Sequence, residues 1–367
     1  MRILHIINNL GPGGAEKLIE ELSPAINNLA GTSLDILVLS KDNNIYYDSL
    51  SSKGIKVDII RSQSIYSPLH ILKINTYINK GNYDIVHSHL FPTQYWVGLS
   101  RIFSNSKKVK YVTTEHSTNN RRRNKPYFRL MDKYIYSKYD SVISITDNTR
   151  KNLVNWIKPK DRELNRYKVI ENGINIDKFI NAAPYSKNKI KEEFSEQTKL
   201  ICMVGRFEKA KDQATLIRAM KVLSSEIHLL LVGEGALKGN NMSLAKELGV
   251  SNRVHFLGFR NDIPNVLKTV DIVILSSYWE GLSLFSIEGM ACGKPFIATK
   301  VQGLEEIVGG YGLLFRQGDV KGLCLLINKL LSDRIFYKEV SERCITRSRT
   351  YDLRNTVEKL VQLYRNL

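Results

Sequence analysis

Short apolar runs alternate with amphipathic stretches along the whole chain, and the alternation starts afresh near Leu200. In the first half the apolar runs predict strands at 2–7, 34–39, 57–60, 85–88, 110–114, 141–145 and 168–170. In the second half they predict strands at 200–204, 228–232, 254–256, 272–275, 295–299 and 312–315. Between them lie helical spacings, for example 15–28, 127–138, 212–223, 242–248 and 320–332. Strands such as Asp271-Ile272-Val273-Ile274-Leu275 are apolar throughout, as strands covered on both faces must be, so the alternation predicts α/β architecture with parallel sheets between helices. At 367 residues the chain is too long for one ordinary core. The expected organisation is a Rossmann-like domain over 1–180, a second over 181–352 whose alternation restarts near Leu200 after the polar stretch 185–199, and an amphipathic helix over 353–367. That helix carries Val357, Leu360, Val361, Leu363 and Tyr364 on one stripe. Two such domains would face each other across a cleft, with ligand at the carboxyl ends of the strands.

Composition narrows the setting. With 43% hydrophobic and 25% charged residues, the chain reads as globular and soluble. Cys202, Cys292, Cys324 and Cys344 lie apart, fitting neither a disulfide framework nor a CxxC zinc site, and so point to a reducing, cytoplasmic compartment. No apolar run reaches the roughly 18 residues that a membrane span needs. The first residues read as a strand rather than a signal peptide. The formal charge is +18. The excess is sharpest at Lys107, Lys108, Lys110, Arg121, Arg122, Arg123, Lys125, Arg129 and Lys133, where Tyr127, Phe128, Leu130, Met131, Tyr134 and Ile135 interleave. Cations beside exposed aromatics suit an anionic membrane face, each adding on the order of 1 kcal/mol. Nucleic acid is the rival partner, although no helix-turn-helix, finger or RNA-binding signature accompanies the charge. A solvated basic face with its aromatics in the core is the third reading.

The residues that carry chemistry fall just after predicted strands. Glu280-Gly281-Leu282-Ser283-Leu284-Phe285-Ser286-Ile287-Glu288 leads from a buried strand into a helix that stops at Gly293. A helix start offers backbone N–H groups and a positive dipole end to phosphate, while a carboxylate suits the two donors of a sugar diol. Gly205-Arg206-Phe207-Glu208-Lys209-Ala210-Lys211 likewise follows a strand; a planar guanidinium and a point-charge ammonium make a sensible pair for a diphosphate. Gly11-Pro12-Gly13-Gly14-Ala15-Glu16 would let backbone approach a phosphate, but Glu16 takes the place of the third glycine of GxGxxG. Gly233-Glu234-Gly235 also lacks that glycine and reads as an ordinary turn, so a dinucleotide oxidoreductase is poorly supported. His116, and less so His87 and His89, close strands where an imidazole hydrogen-bonds a sugar hydroxyl or acts as a base; a structural role is the competing reading. HExxH and Asp-x-Asp are both missing, which predicts no metal and a diphosphate neutralised by cations and helix dipoles alone.

Together these residues resemble the family 4 retaining glycosyltransferases of GT-B fold. The elements are Gly13-Gly14-Ala15-Glu16, Thr114-Glu115-His116, Asn172-Gly173-Ile174-Asn175, Gly205-Arg206 with Lys211, Phe256-Leu257-Gly258, the Glu280/Glu288 pair and Gly293-Lys294-Pro295. The resemblance implies that Glu288 binds the ribose hydroxyls and that Arg206 and Lys211 hold the diphosphate. It implies that Gly281, Leu282, Ser283 and Leu284 lend amides to phosphate or sugar, and that Glu280 contacts the donor sugar. Gly258, Phe259 and Arg260 would meet the base through backbone groups. Gly13 and Gly14 would let the first domain close onto the donor, and His116 would bind sugar or acceptor. The final helix would return to the first domain. Ser283 stands where glycine is frequent in the family.

The function so implied is transfer of a sugar, with retention, from a nucleotide-sugar (UDP expected over GDP) to a glycan or polyprenyl-linked acceptor in bacterial polysaccharide synthesis. No cofactor is expected, and the expected place is the inner face of the cell membrane. Two rivals remain: a sugar-nucleotide epimerase of similar fold, for which no proton-abstracting carboxylates are identified, and a basic nucleic-acid-binding protein.

Overall fold

The computed structural model describes residues 1–60, 64–104, 108–117 and 121–367, without the side chains of Arg121 and Asn124. Lys107 lies outside the described residues. The chain divides into two compact units, Met1–Gly173 with Leu353–Leu367, and Ile174–Asp352. The first unit therefore ends at Gly173, where the sequence pattern suggested 180.

The first unit holds β1 (Arg2–Ile7), β2 (Ser33–Val38), β3 (Lys56–Ile59), β4 (Ile85–His89), β5 (Lys110–Glu115), β6 (Ser141–Ser144) and β7 (Tyr167–Val169). All pair in parallel, in the order β3-β2-β1-β4-β5-β6-β7. Side chains alternate between faces along each strand. In β1, Ile3 and Ile7 join one core while Leu4 and Ile6 join the other. His5, by this alternation, falls on the same side as Ile3 and Ile7. The first core is roofed by the helix Gly14–Asn27 (Leu18, Leu22, Ile26) and by the final helix Leu353–Arg365 (Leu353, Val357, Leu360, Val361, Tyr364). Burying five such side chains stabilises the docked helix by roughly 10 kcal/mol before ordering costs. Thr356 Oγ1 also donates to the Glu171 carbonyl (2.9 Å).

The second unit holds β8 (Lys199–Val204), β9 (Ile227–Val232), β10 (Val254–Gly258), β11 (Ile272–Leu275), β12 (Phe296–Thr299) and β13 (Leu313–Phe315). These are also parallel, in the order β10-β9-β8-β11-β12-β13. In each sheet the strand order reverses beside the unit's first strand: between β1 and β4, and between β8 and β11. At such a switch point the loops after neighbouring strands diverge to opposite faces and leave a crevice at the carboxyl ends.

Candidate active site

In the second unit, the loops after β8 and β11 flank the switch point, and they are bonded to each other. The Tyr278 amide donates to the Ala210 carbonyl (2.8 Å). Ser276 Oγ donates to the Lys211 and Asp212 carbonyls (3.2 and 2.8 Å). Gln213 Nε2 holds the Arg206 carbonyl (2.9 Å). These bonds bring Lys211 Nζ to 2.5 Å from Glu280 Oε1, with both side chains largely buried. Ser277 Oγ donates to the same carboxylate oxygen (2.6 Å) and fixes its direction. Two expected site residues, one from each motif, are thus joined as an oriented ion pair. Lys211 keeps two further N–H donors for an anion, and Glu280 keeps its second oxygen for a hydroxyl.

Arg206 is placed differently. Its side chain is 72% exposed and lies 3.1 Å from Glu208, an arrangement that costs little to break. Glu288 is half-buried on the helix Leu284–Ala291, near enough to Cys292 to affect that thiol electrostatically. The helix begins four residues after Glu280. Its N-cap is Ser283, whose Oγ accepts from the Ser286 amide (3.3 Å) and from Ser286 Oγ (2.9 Å). The serine that stands in glycine's place therefore acts locally, satisfying one amide of the helix's first turn. Gly281 and Leu282 form the turn before it and are half-buried.

Two contributors, Ser277 and Gly303, are not singled out by the sequence pattern, and a third, Gly233, is read there as an ordinary turn. Gly303, after β12, has φ +86, and a Cβ there would collide with the Gly281 and Glu280 carbonyls, so the third loop presses on the Glu280–Gly281 backbone. Gly233 (φ +135) is the third: a Cβ would strike the Gly205 carbonyl, so this turn braces the Arg206 loop rather than serving as an ordinary connection. A glycine required by close approach is visible only once its neighbour is known. Gly258 ends β10, and its carbonyl accepts from the Gly233 amide (2.8 Å), leaving the exposed Phe259 and the following residue for any base contact. The Arg260 guanidinium is tied to Asp262 (Nε–Oδ1 2.8 Å).

In the first unit, Gly13 caps the helix Gly14–Asn27 after β1, and a Cβ on Gly14 would meet nothing within 4 Å, so backbone there is open to approach. His89 ends β4, and His116 follows β5. His89 Nδ1 and His116 Nε2 are 3.1 Å apart. Burial pushes the His116 pKa down to about 4. At neutral pH it is therefore an uncharged hydrogen-bonding group and a weak base. Behind this pair, His87 Nδ1 lies 2.5 Å from Tyr364 Oη and His87 Nε2 lies 2.7 Å from Thr114 Oγ1, while His5 Nε2 lies 3.2 Å from the same tyrosine. The four cysteines are buried and free, and burial pushes the Cys292 and Cys344 thiols up to about 12, which leaves them to packing.

The basic segment is partly corrected. Arg122 is buried, stacked 4.1 Å from the Phe91 ring centroid with Nη1 3.6 Å from Asp132. Arg123 pairs with Glu115 (3.3 Å). These two support the fold rather than face a partner. What stays outside is the helix Tyr127–Tyr136, which exposes Tyr127, Leu130, Met131 and Tyr134 on one stripe, beside exposed Lys125 and Lys133. Among the described residues, no helix is long and apolar enough to cross a membrane.

The two-unit parallel α/β fold is that of the GT-B glycosyltransferases, and comparison with known proteins places the chain further. Residues 12–178 match the family described as Glycosyltransferase Family 4, and residues 185–350 match Glycosyl transferases group 1. The chain belongs to the family 4 glycosyltransferases, of GT-B fold. It is 25% identical, over 94% of each chain, to the Campylobacter jejuni N-acetylgalactosamine-N,N'-diacetylbacillosaminyl-diphospho-undecaprenol 4-alpha-N-acetylgalactosaminyltransferase. It is 25% identical to the Escherichia coli UDP-Gal:alpha-D-GlcNAc-diphosphoundecaprenol alpha-1,3-galactosyltransferase, over 80% of this chain and 78% of that one. Among solved structures, Anabaena HepE in complex with UDP and glucose matches over 100% of both chains (TM-score 0.85, 20% identity). The epimerase and nucleic-acid readings find no support in these relatives.

Proposed function

We propose that this glycosyltransferase moves a sugar from a UDP-sugar to a lipid-linked glycan acceptor, with retention, in the assembly of a bacterial surface polysaccharide. The relatives' names motivate donor and acceptor: one specifies UDP-Gal, and both specify a diphosphoundecaprenol substrate. The observation that carries the reading is the Lys211–Glu280 pair held at the β8/β11 switch point. There Lys211 and Arg206 take the diphosphate and offset the charge that builds on it as the sugar leaves. Glu288 takes the ribose diol, and Glu280 takes a donor-sugar hydroxyl. The amides from Gly281 to Leu284 take phosphate at the helix start, and the backbone after Gly258, at Phe259, meets the base. In the first unit, neutral His116 takes a sugar or acceptor hydroxyl, and Gly14 leaves room for substrate beside the backbone, whereas the space a side chain would take at Gly13 is filled by the Glu16 carboxylate. Charge on phosphate is met by side chains and helix amides, so the transfer requires no metal ion.

The enzyme works as a peripheral protein on the inner face of the membrane. The support is chemical: an exposed Tyr127/Leu130/Met131/Tyr134 stripe flanked by lysines matches an anionic interface that holds the acceptor's lipid.

Arg206→Ala and Glu288→Ala test the site. Each should lower transfer from UDP-sugar by at least about a hundredfold with an unchanged circular dichroism spectrum. Activity should persist in excess EDTA. Near-normal turnover in both variants refutes the assignment, and loss of activity in EDTA refutes metal independence.

A further inference from the structure

We infer that Glu193, His228 and His255 form a binding site for one divalent transition-metal ion of the zinc type, at the end of the second sheet remote from the donor site. His228 is the second residue of β9 and His255 the second of β10, so two neighbouring parallel strands present imidazoles side by side at their amino ends. His228 Nδ1 and His255 Nε2 face each other at 3.0 Å, with the rings stacked at 14°. Glu193 brings a carboxylate, and one ligand atom from each of the three residues lies within 4.8 Å of the others. Two nitrogens bound to one zinc at ~2.0–2.1 Å in tetrahedral geometry stand roughly 3.3 Å apart, so the imidazoles must separate by a few tenths of an ångström and turn until both lone pairs converge on the ion. Phe194 meets both rings edge-on (centroids 5.0 and 5.1 Å).

A cation already occupies this neighbourhood. Lys191 Nζ lies 2.7 Å from Glu193 Oε1 and 3.4 Å from His255 Nδ1. A divalent ion would displace the ammonium, which swings out on its exposed stem. The facing nitrogens share one proton in the hydrogen bond; on metal binding that proton moves to the remote nitrogen of the same ring, so both lone pairs reach the metal with no net proton change.

A second trio, His5, His87 and His89, is equally compact. It is fully buried, contains no carboxylate, and has both nitrogens of His87 engaged by Tyr364 and Thr114. A dication there would sit uncompensated in an apolar interior, so that trio is the poorer site. From His228 to the Gly233 turn is about 16 Å along the strand, so the proposed ion takes no part in sugar transfer.

The test uses the full chain without a histidine tag, stripped with chelator and titrated with zinc chloride by calorimetry and thermal shift. One equivalent should bind and raise the melting temperature. His228→Gln and Glu193→Gln should each weaken binding by at least about tenfold, while Lys191→Gln should strengthen it. Glu193 is exposed, so its variant keeps the test valid if a histidine variant misfolds. Absence of one-to-one binding at about a hundred micromolar zinc overturns the proposal. So does affinity unchanged by His228→Gln and Glu193→Gln, or weakened by Lys191→Gln.

Discussion

Lowering the pH from roughly 7.5 to roughly 5 should remove much of the first unit's stability, because a cluster of four imidazoles is held neutral there and burial lowers the pKa of a fifth, His70, elsewhere in the unit. His5, His87 and His89 are almost wholly buried, and His116 is half-buried beside them. Burial lowers every one of their pKa values: to about 3 for His5, to about 4 for His116, and well below the ordinary value for His87 and His89. The groups packed against them are each other, Tyr364 and Thr114. In the unfolded chain each returns to about 6.5. Below that pH the unfolded state binds more protons than the folded state, so stability falls with pH until the folded pKa is reached. At roughly pH 5 each unfolded imidazole gains about RT ln(1 + 10^1.5), or ~2 kcal/mol, whatever the folded value, provided the native ring is still neutral. Four rings give up to ~8 kcal/mol, against a total stability of ~5–15 kcal/mol for a domain. Scanning calorimetry across this range should therefore show a transition that drops steeply. His5→Gln should drop by ~2 kcal/mol less over the same interval, even if the variant starts lower. A transition that holds within a few degrees, or imidazole NMR signals from these residues titrating near the ordinary value, would refute the reasoning.

Two further outcomes test local claims. Ser283→Ala removes the N-cap of the helix carrying Glu288 and should cost about 1 kcal/mol in urea unfolding, with weaker UDP-sugar binding; Ser283→Asp, which restores a capping oxygen but adds charge near phosphate, should recover stability and not binding. Lys125→Glu with Lys133→Glu and Leu130→Ser should cut sedimentation with anionic liposomes by about tenfold or more while sparing donor hydrolysis; unchanged sedimentation would end the membrane proposal.

The strands were legible because the central ones are apolar runs buried on both faces, and all thirteen fall within a residue or two of where the pattern puts them, the partly exposed edge strands β3 and β7 included. The unit boundary was less so. Residues 174–180 look like a continuation of the first domain's polar connections, yet Ile174, Ile176 and Phe179 are buried in the second core. Arg122 and Arg123 misled for a related reason: an arginine that stacks on Phe91 or pairs with Glu115 has the same letter as one facing solvent. The motif residues Lys211 and Glu280 could be placed at strand ends from sequence, but not joined, since 69 positions separate them. His228 and His255, 27 apart, form no local spacing and come together only through the β9–β10 register.

What joins the site residues also assigns them different work. Lys211 is fixed: Glu280 orients its ammonium, Ser277 orients Glu280, and the loop that carries it is bonded to the loop after β11. A group held this firmly loses little freedom when phosphate arrives, and its charge sits where burial keeps it effective. Arg206 is the reverse, an exposed guanidinium resting on Glu208 in a contact worth at most about 1 kcal/mol. It is free to exchange that partner for a diphosphate oxygen, with a bidentate geometry that Lys cannot reproduce. Under the proposed assignment its ordering follows donor binding. Loss of Arg206 should raise KM for the donor as well as lower turnover, whereas loss of Lys211, already positioned, should fall mainly on turnover. The chain thus holds one cation preset against a buried carboxylate and one exposed beside Glu208, so under the proposed assignment a highly charged donor meets two cations that are each paired before it arrives.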